Sequence, residues 1–181
     1  MRGRRKTLSP EQRLAASKAI CERLAADILP TNGAVAAYLA SPDEIDLSQL
    51  ILSLLARGLT VAAPRWNGET YELAKLHGLA AADLRRGPKN ILEPADAEII
   101  EPSSIATWIV PGLAFTNDGA RLGYGGGWYD RLLASAYTGS LKIGVAHGFQ
   151  VVEDLPYEPH DIRLDRIVTT DALPGETCVC L

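Results

Sequence analysis

The sequence predicts an α/β fold, a three-layer αβα sandwich around a mostly parallel central sheet, and three observations carry that expectation. Short apolar runs recur at Val35 to Leu39, Thr60 to Ala63, Thr107 to Val110, Lys142 to Ala146 and Arg166 to Thr169, each bounded by breakers as strands buried on both faces are. Helical patterns stand between several of them, and strand–helix–strand order is the grammar of a parallel sheet. The chain is 181 residues long, enough for one compact domain over 1–181 that buries about 70% of its unfolded surface. Such a Rossmann-like sheet binds ligands beyond the carboxyl ends of its strands.

The elements follow in order. Ser9-Pro10-Glu11-Gln12 supplies a capping hydroxyl, a proline at the first helical position and a glutamine where a capping box wants one. A helix starts there, with Leu14, Ile20, Leu24 and Ile28 near one face, and Pro30 and Gly33 close it. After the first strand, Asp46 caps a helix from Leu47 to Arg57 that Gly58 stops. Thr60 to Ala63 is the second strand, ended by Pro64, which completes a βαβ unit. From Arg65 to Pro102 the pattern weakens: Tyr71 to Leu76 reads as an edge strand and the remainder as loop and short helix. Beyond Thr107 to Val110, the connection Pro111 to Ala120 leads to a glycine cluster that opens a helix from about Gly127 to Tyr137.

Composition narrows the function. The longest unbroken apolar run, Ala34 to Ala40, is seven residues, whereas a bilayer span needs roughly twenty. The formal net charge is −4, but Arg2, Arg4, Arg5 and Lys6 all precede the first acidic residue, so the body without them is more acidic still. That balance does not favour duplex nucleic acid. The basic start is either a solvated terminus or a phosphate contact folded against the body. Cys21, Cys178 and Cys180 make no disulfide framework and have poor zinc spacing, so a reducing, cytoplasmic compartment fits best.

The informative stretch runs from Gly119 to Arg131. Gly123, Gly125, Gly126 and Gly127 let backbone N–H groups converge on an anion, and the helix that follows adds its positive end. Arg121 offers a planar fork to phosphate oxygens, and Asp130 can hold Mg²⁺ against them. No Gly-Lys-Ser/Thr of a P-loop is present, and Trp128 stands where a dinucleotide fingerprint needs its third glycine. The bland alternative is a flexible loop capping a helix. Asp161, in Leu155-Pro156-Tyr157-Glu158-Pro159-His160-Asp161, reads either as a second carboxylate for the metal or as a turn residue. His77 and His147 are isolated, and no nucleophile elbow is visible. Glu44, on the loop leaving the first strand, reads either as a residue of a solvated turn or as a carboxylate at the carboxyl edge of the sheet that accepts N–H bonds from a polar heterocycle.

The run Val110-Pro111-Gly112-Leu113-Ala114-Phe115, followed by Gly119-x-Arg121-Leu122-Gly123-Tyr124-Gly125-Gly126-Gly127-Trp128-Tyr129-Asp130-Arg131-x-Leu133, resembles the signature of the 5-formyltetrahydrofolate cyclo-ligase family, also called methenyltetrahydrofolate synthetases. Tyr38-Leu39 with Glu44-Ile45-Asp46, Ala63-Pro64-Arg65, Ile91-Leu92-Glu93-Pro94, Gln150 and His160-Asp161 fall in the same order. The resemblance implies an ATP-dependent, Mg²⁺-requiring conversion of 5-formyltetrahydrofolate to 5,10-methenyltetrahydrofolate with release of ADP and phosphate. By the same resemblance Arg121 and Asp130 are catalytic, while Arg4, Arg5, Arg121, Leu122, Gly123, Tyr124, Gly125, Gly126, Gly127, Trp128 and Tyr129 bind nucleotide. Leu39, Glu44, Tyr124 and Trp128 bind folate, and Asp130 and Asp161 hold the metal. The partners implied are these small molecules alone, on a monomer. Two departures stand out: Thr116 occupies a place where the family has aspartate, which leaves that carboxylate's metal or structural role open, and Arg4 and Arg5 match only the end of the family's basic N-terminal segment. A non-catalytic folate or nucleotide binder, a phosphosugar isomerase and a thiamine-linked paralogue are the competing readings.

Overall fold

The computed structural model describes residues 1–28, 33–156, 158 and 161–170. A short helix α1 (Arg2–Lys6) precedes α2 (Pro10–Ile28), whose capping box forms as expected: Gln12 N–H donates to Ser9 Oγ at 3.2 Å, and Gln12 Oε1 accepts from Ser9 N–H at 2.8 Å. The strands and helices that follow are β1 (Ala34–Ala36), α3 (Ser48–Ala56), β2 (Val61–Trp66), β3 (Tyr71–Lys75), β4 (Leu84–Arg86), β5 (Leu92–Pro94), β6 (Ile105–Val110), β7 (Ala114–Thr116), β8 (Arg121–Leu122), α4 (Trp128–Ala134), β9 (Leu141–Ala146), β10 (Val151–Val152) and β11 (Arg166–Thr169).

The main sheet has six strands in the order β11-β9-β6-β1-β2-β3, parallel except for the antiparallel edge strand β3. Alternate residues of each strand face opposite layers. On one face Val35, Val61, Ile109, Ile143, Val145 and Val168 pack with Ile20 and Leu24 of α2 and Leu50, Ile51 and Leu54 of α3. On the other, Ala36, Ala62, Trp108, Val110, Ala146 and Ile167 pack with Leu132 and Leu133 of α4. The second layer is thin in helix, and a three-stranded sheet in the order β10-β7-β8 fills it out around Phe115. Strand order reverses direction between β1 and β6, the switch point where open α/β sheets place their ligands.

Several expectations need correction. Leu14 is 73% exposed and belongs to no core, whereas Ile20 and Leu24 are buried as expected, with Cys21 beside them. The side chain of Ile28, together with Pro30, His160, Cys178 and Cys180, lies outside the described residues. Pro64 does not end β2. Leu73 and Lys75 turn their backbone groups outward, toward Ile100 N and Glu98 O, so Pro64 opposite Leu73 needs no N–H on that side, and β1 has already stopped on the other. The stretch after β3, expected as loop and short helix, holds the β4–β5 hairpin. The connection 111–120 contains β7, which pairs antiparallel with β8. α4 stops at Ala134, three residues before Tyr137, because the chain turns back through Tyr137 to Ser140 to enter β9.

Candidate active site

A cleft of about 1220 Å³ opens beyond the carboxyl ends of β1, β2 and β6. It brings together Leu39 and Glu44 from the loop after β1, the whole run Arg121 to Asp130, and Asp161. Segments more than a hundred residues apart in sequence thus share one wall-to-wall space.

The glycine run needs its glycines for identifiable reasons. Gly125 has φ +84° and Gly127, at the N-cap of α4, φ +61°, a region where a Cβ is strained. A Cβ on Gly123 would stand 2.7 Å from Arg121 Nη1, so its absence lets the guanidinium lie under the loop. Arg121 Nη2 donates to Asp130 Oδ1 at 2.7 Å, with the two side chains only 5% and 20% exposed. A charge-assisted pair so placed holds a fixed positive group and a fixed negative group on one side of the cleft.

Behind that pair stands Tyr129, whose ring lies 5.7 Å from the Arg121 guanidinium. Its buried hydroxyl has no hydrogen-bond partner among the described residues. Burial, reinforced by Glu44, holds this phenol well above its usual range, so it is a neutral donor.

Across the cleft a polar chain links three segments. Arg5 is 2% exposed; its Nη2 donates to Asp43 Oδ2 at 2.9 Å and to the Tyr124 hydroxyl at 2.7 Å, and its Nη1 reaches the Gly112 carbonyl at 3.5 Å. The Tyr124 hydroxyl donates in turn to Glu44 Oε1 at 2.6 Å. Glu44 Oε2 accepts from the Ser41 N–H and hydroxyl at 2.9 and 2.8 Å. A carboxylate has about four acceptor positions, so roughly one is left for a heterocycle. Burial and then the Glu44 charge raise the Tyr124 pKa, keeping the phenol protonated in this relay. Arg4 and Arg5 do not line the cleft: Arg4 lies over the Phe149 ring at 4.6 Å, whereas Arg2 and Lys6 of the same helix do line it. Asp161 lines the cleft and also serves its turn, its Oδ2 accepting the Glu158 N–H at 2.8 Å.

Two aromatic residues escaped the sequence reading. Trp66 and Tyr71 sit opposite each other on β2 and β3, and with Trp128 they form a triangle of edge-to-face rings with centroids 5.2, 5.2 and 5.3 Å apart. All three line the cleft. The signal was Asn67-Gly68, a strong hairpin pair, which carries two flanking aromatics to one place. Thr116, the departure from aspartate, is 3% exposed: its Oγ1 accepts the Ala120 N–H at 3.0 Å and donates to Asp118. The hydroxyl closes the β7–β8 turn as a carboxylate oxygen would.

Residues 1–170 match the sequence model of the 5-formyltetrahydrofolate cyclo-ligase family. The 5-formyltetrahydrofolate cyclo-ligase of Escherichia coli K12 is 33% identical over 174 residues, covering 93% of this chain and 96% of the relative. That of Mus musculus is 23% identical over 95% of this chain and 91% of its own. Among solved structures, the 5,10-methenyltetrahydrofolate synthetase of Aquifex aeolicus superposes with a TM-score of 0.79 at 32% identity, covering 98% of this chain and 93% of the other. The Mycoplasma pneumoniae synthetase, at 23% identity and a TM-score of 0.74 over 93% of both chains, shares the fold. Matched by the family's model over residues 1–170 and 33% identical to a relative along nearly the whole of both chains, the chain belongs to the 5-formyltetrahydrofolate cyclo-ligase family.

Proposed function

We propose that the cleft carries out the ATP-dependent closure of 5-formyltetrahydrofolate to 5,10-methenyltetrahydrofolate, with release of ADP and phosphate. The chain is a ligase of the folate one-carbon class by its family. The observation that carries the reading is the convergence of a phosphate-binding backbone run, the Arg121–Asp130 pair and Glu44 in one cleft. The formyl oxygen is a poor leaving group. Transfer of the γ-phosphoryl group to it gives a phosphorylated imine, N10 bonds to the formyl carbon as it loses its proton, and the C–O bond breaks as phosphate departs with the electron pair.

Such a reaction asks the protein to position and to neutralise charge, not to supply a nucleophile. The N–H groups of residues 122–129 would hold phosphate oxygens, with Arg121 placed against the charge that develops in transfer. Arg2 and Lys6, which line the cleft, add positive charge to it. Leu39, Trp128 and the Trp66–Tyr71 pair would flank the flat pterin, and Glu44 would accept one of its N–H groups.

Asp130 and Asp161 offer hard oxygen donors in the cleft, and Oδ2 of Asp130 is not used by Arg121. Among the described residues no group of three metal-binding side chains stands together. This donor set fits Mg²⁺, which is commonly held by one or two carboxylates plus substrate phosphates. When bound there, the ion would offset charge on the β- and γ-phosphates. The proposal extends to a monomeric, cytoplasmic, single-domain enzyme with no nucleic-acid or membrane partner, supported by the acidic balance of its body. No helix among the described residues is long and apolar enough to cross a membrane.

The test is spectrophotometric. Purified protein with ATP, Mg²⁺ and 5-formyltetrahydrofolate should develop the near-ultraviolet band of the methenyl product. No band at high enzyme concentration, with ligands bound by calorimetry, makes the protein a binder instead.

A further inference from the structure

Helix α1 sends its basic residues to different places: Arg2 and Lys6 line the cleft, Arg4 lies over the Phe149 ring, and Arg5 does not line the cleft. Arg5 is turned inward at 2% exposure, with Nη2 on Asp43 and on the Tyr124 hydroxyl and Nη1 on the Gly112 carbonyl. Little of that guanidinium is left to meet a phosphate. Its shortest contact leads to Tyr124, and Tyr124 leads at 2.6 Å to Glu44.

We propose that Arg5 is a positioning residue for the folate rather than a nucleotide contact: through the Tyr124 hydroxyl it orients the carboxylate of Glu44. The inference rests on the reading of Glu44 as the pterin acceptor. Three features support it. The guanidinium fork is planar and donates in fixed directions, so it can hold Asp43 and Tyr124 at once, which a lysine ammonium does less well. Asp43 and Glu44 are neighbours in sequence, so one arginine grips the Glu44 loop at two adjacent points, directly at Asp43 and through the phenol at Glu44. Tyr124 is held by Arg5 and also lies on the glycine run, so loop and acceptor are set relative to each other. The N-terminal helix therefore serves the cleft in two ways, with Arg2 and Lys6 lining it and Arg5 gripping the Glu44 loop.

A double-mutant cycle in the turnover assay tests this. Arg5→Met is expected to raise the folate KM about tenfold or more, the size of a lost charge-assisted hydrogen bond, with the ATP KM within about threefold of wild type. Tyr124→Phe should move the folate KM in the same direction. The double variant should be no worse than Arg5→Met by more than about twofold, because residues in one relay are not additive. Tyr124 is exposed, so its variant folds; if Arg5→Met does not, Arg5→Lys completes the cycle. A rise in ATP KM instead of folate KM, or penalties that multiply, overturns the role of Arg5. A wild type that forms no methenyl product overturns the reading of the cleft itself.

Discussion

Arg121 Nη2 and Asp130 Oδ1 meet at 2.7 Å across the glycine run, so the two ends of that segment are clasped together. The clasp gives Asp130 two duties, to hold Arg121 with one oxygen and to offer the other to the cleft. Asp130→Asn is expected to lower turnover by about a hundredfold or more, as loss of a group placed against transition-state charge does. Initial rates of methenyl formation check it, and the Mg²⁺ concentration giving half-maximal rate should rise in the same variant.

Gly125 and Gly126 separate conformation from crowding. Gly125 has φ +84° and nothing within 4 Å of a built Cβ, so Gly125→Ala costs backbone strain alone, about 1–2 kcal/mol. A drop in Tm of roughly 2–8 °C should accompany a raised ATP KM. A Cβ on Gly126 would come within 2.5 Å of Trp128 Nε1. Gly126→Ala should therefore tilt the Trp128 ring and raise the folate KM with a smaller loss of stability.

Thr116→Val leaves the buried Ala120 N–H without its acceptor, at a cost of about 1–3 kcal/mol by urea denaturation. Thr116→Asp supplies another acceptor and should stay within about 1 kcal/mol of wild type. Neither change should alter the Mg²⁺ dependence of the rate, since Thr116 serves the turn.

Removing one ring of the aromatic triangle should open the folate side of the cleft. Trp66→Ala is expected to raise the folate KM about tenfold, the loss of stacking area plus an edge-to-face contact, and to leave the ATP KM nearly unchanged. Equal rises in both would place Trp66 elsewhere in the mechanism.

Alkaline pH should weaken the fold through its tyrosines. Burial first, then Glu44, raises Tyr38, Tyr124 and Tyr129 above the usual phenol value. The folded protein keeps these protons after the unfolded chain has begun to release them, near pH 10. Stability is thus fully present below about pH 10 and falls as pH climbs toward the folded-state values. Denaturant midpoints measured from pH 8 to 11 should decline at the top of the range, and Tyr124→Phe should lessen the slope.

Much of this was legible in the residues. β11 spans Arg166 to Thr169 as read, and the Ser9–Gln12 capping box forms as written, because both follow local residue chemistry. The cleft residues Glu44, Arg121 to Asp130 and Asp161 do converge, since parallel strands bring their carboxyl ends to one edge. What escaped depended on neighbours. Pro64 reads as a stop unless β1 is known to end first, and Leu14 reads as core unless the turn of α2 against the sheet is known. Arg5 reads as a free cation until Asp43 and Tyr124 are seen beside it. Trp66 and Tyr71 lie in a stretch of weak periodicity, where the hairpin alone pairs them.

β2 runs four residues past Ala62, the last of its residues paired with β1, and ends at Trp66. Neighbouring strands that finish level leave only a rim; unequal ones leave a ledge. On this ledge a planar ring would rest against main chain already fastened on its far side to β3. A substrate resting there would meet main chain that β3 holds in place, and any yielding that admits and releases ligands would fall to the glycine run and the amino-terminal helix.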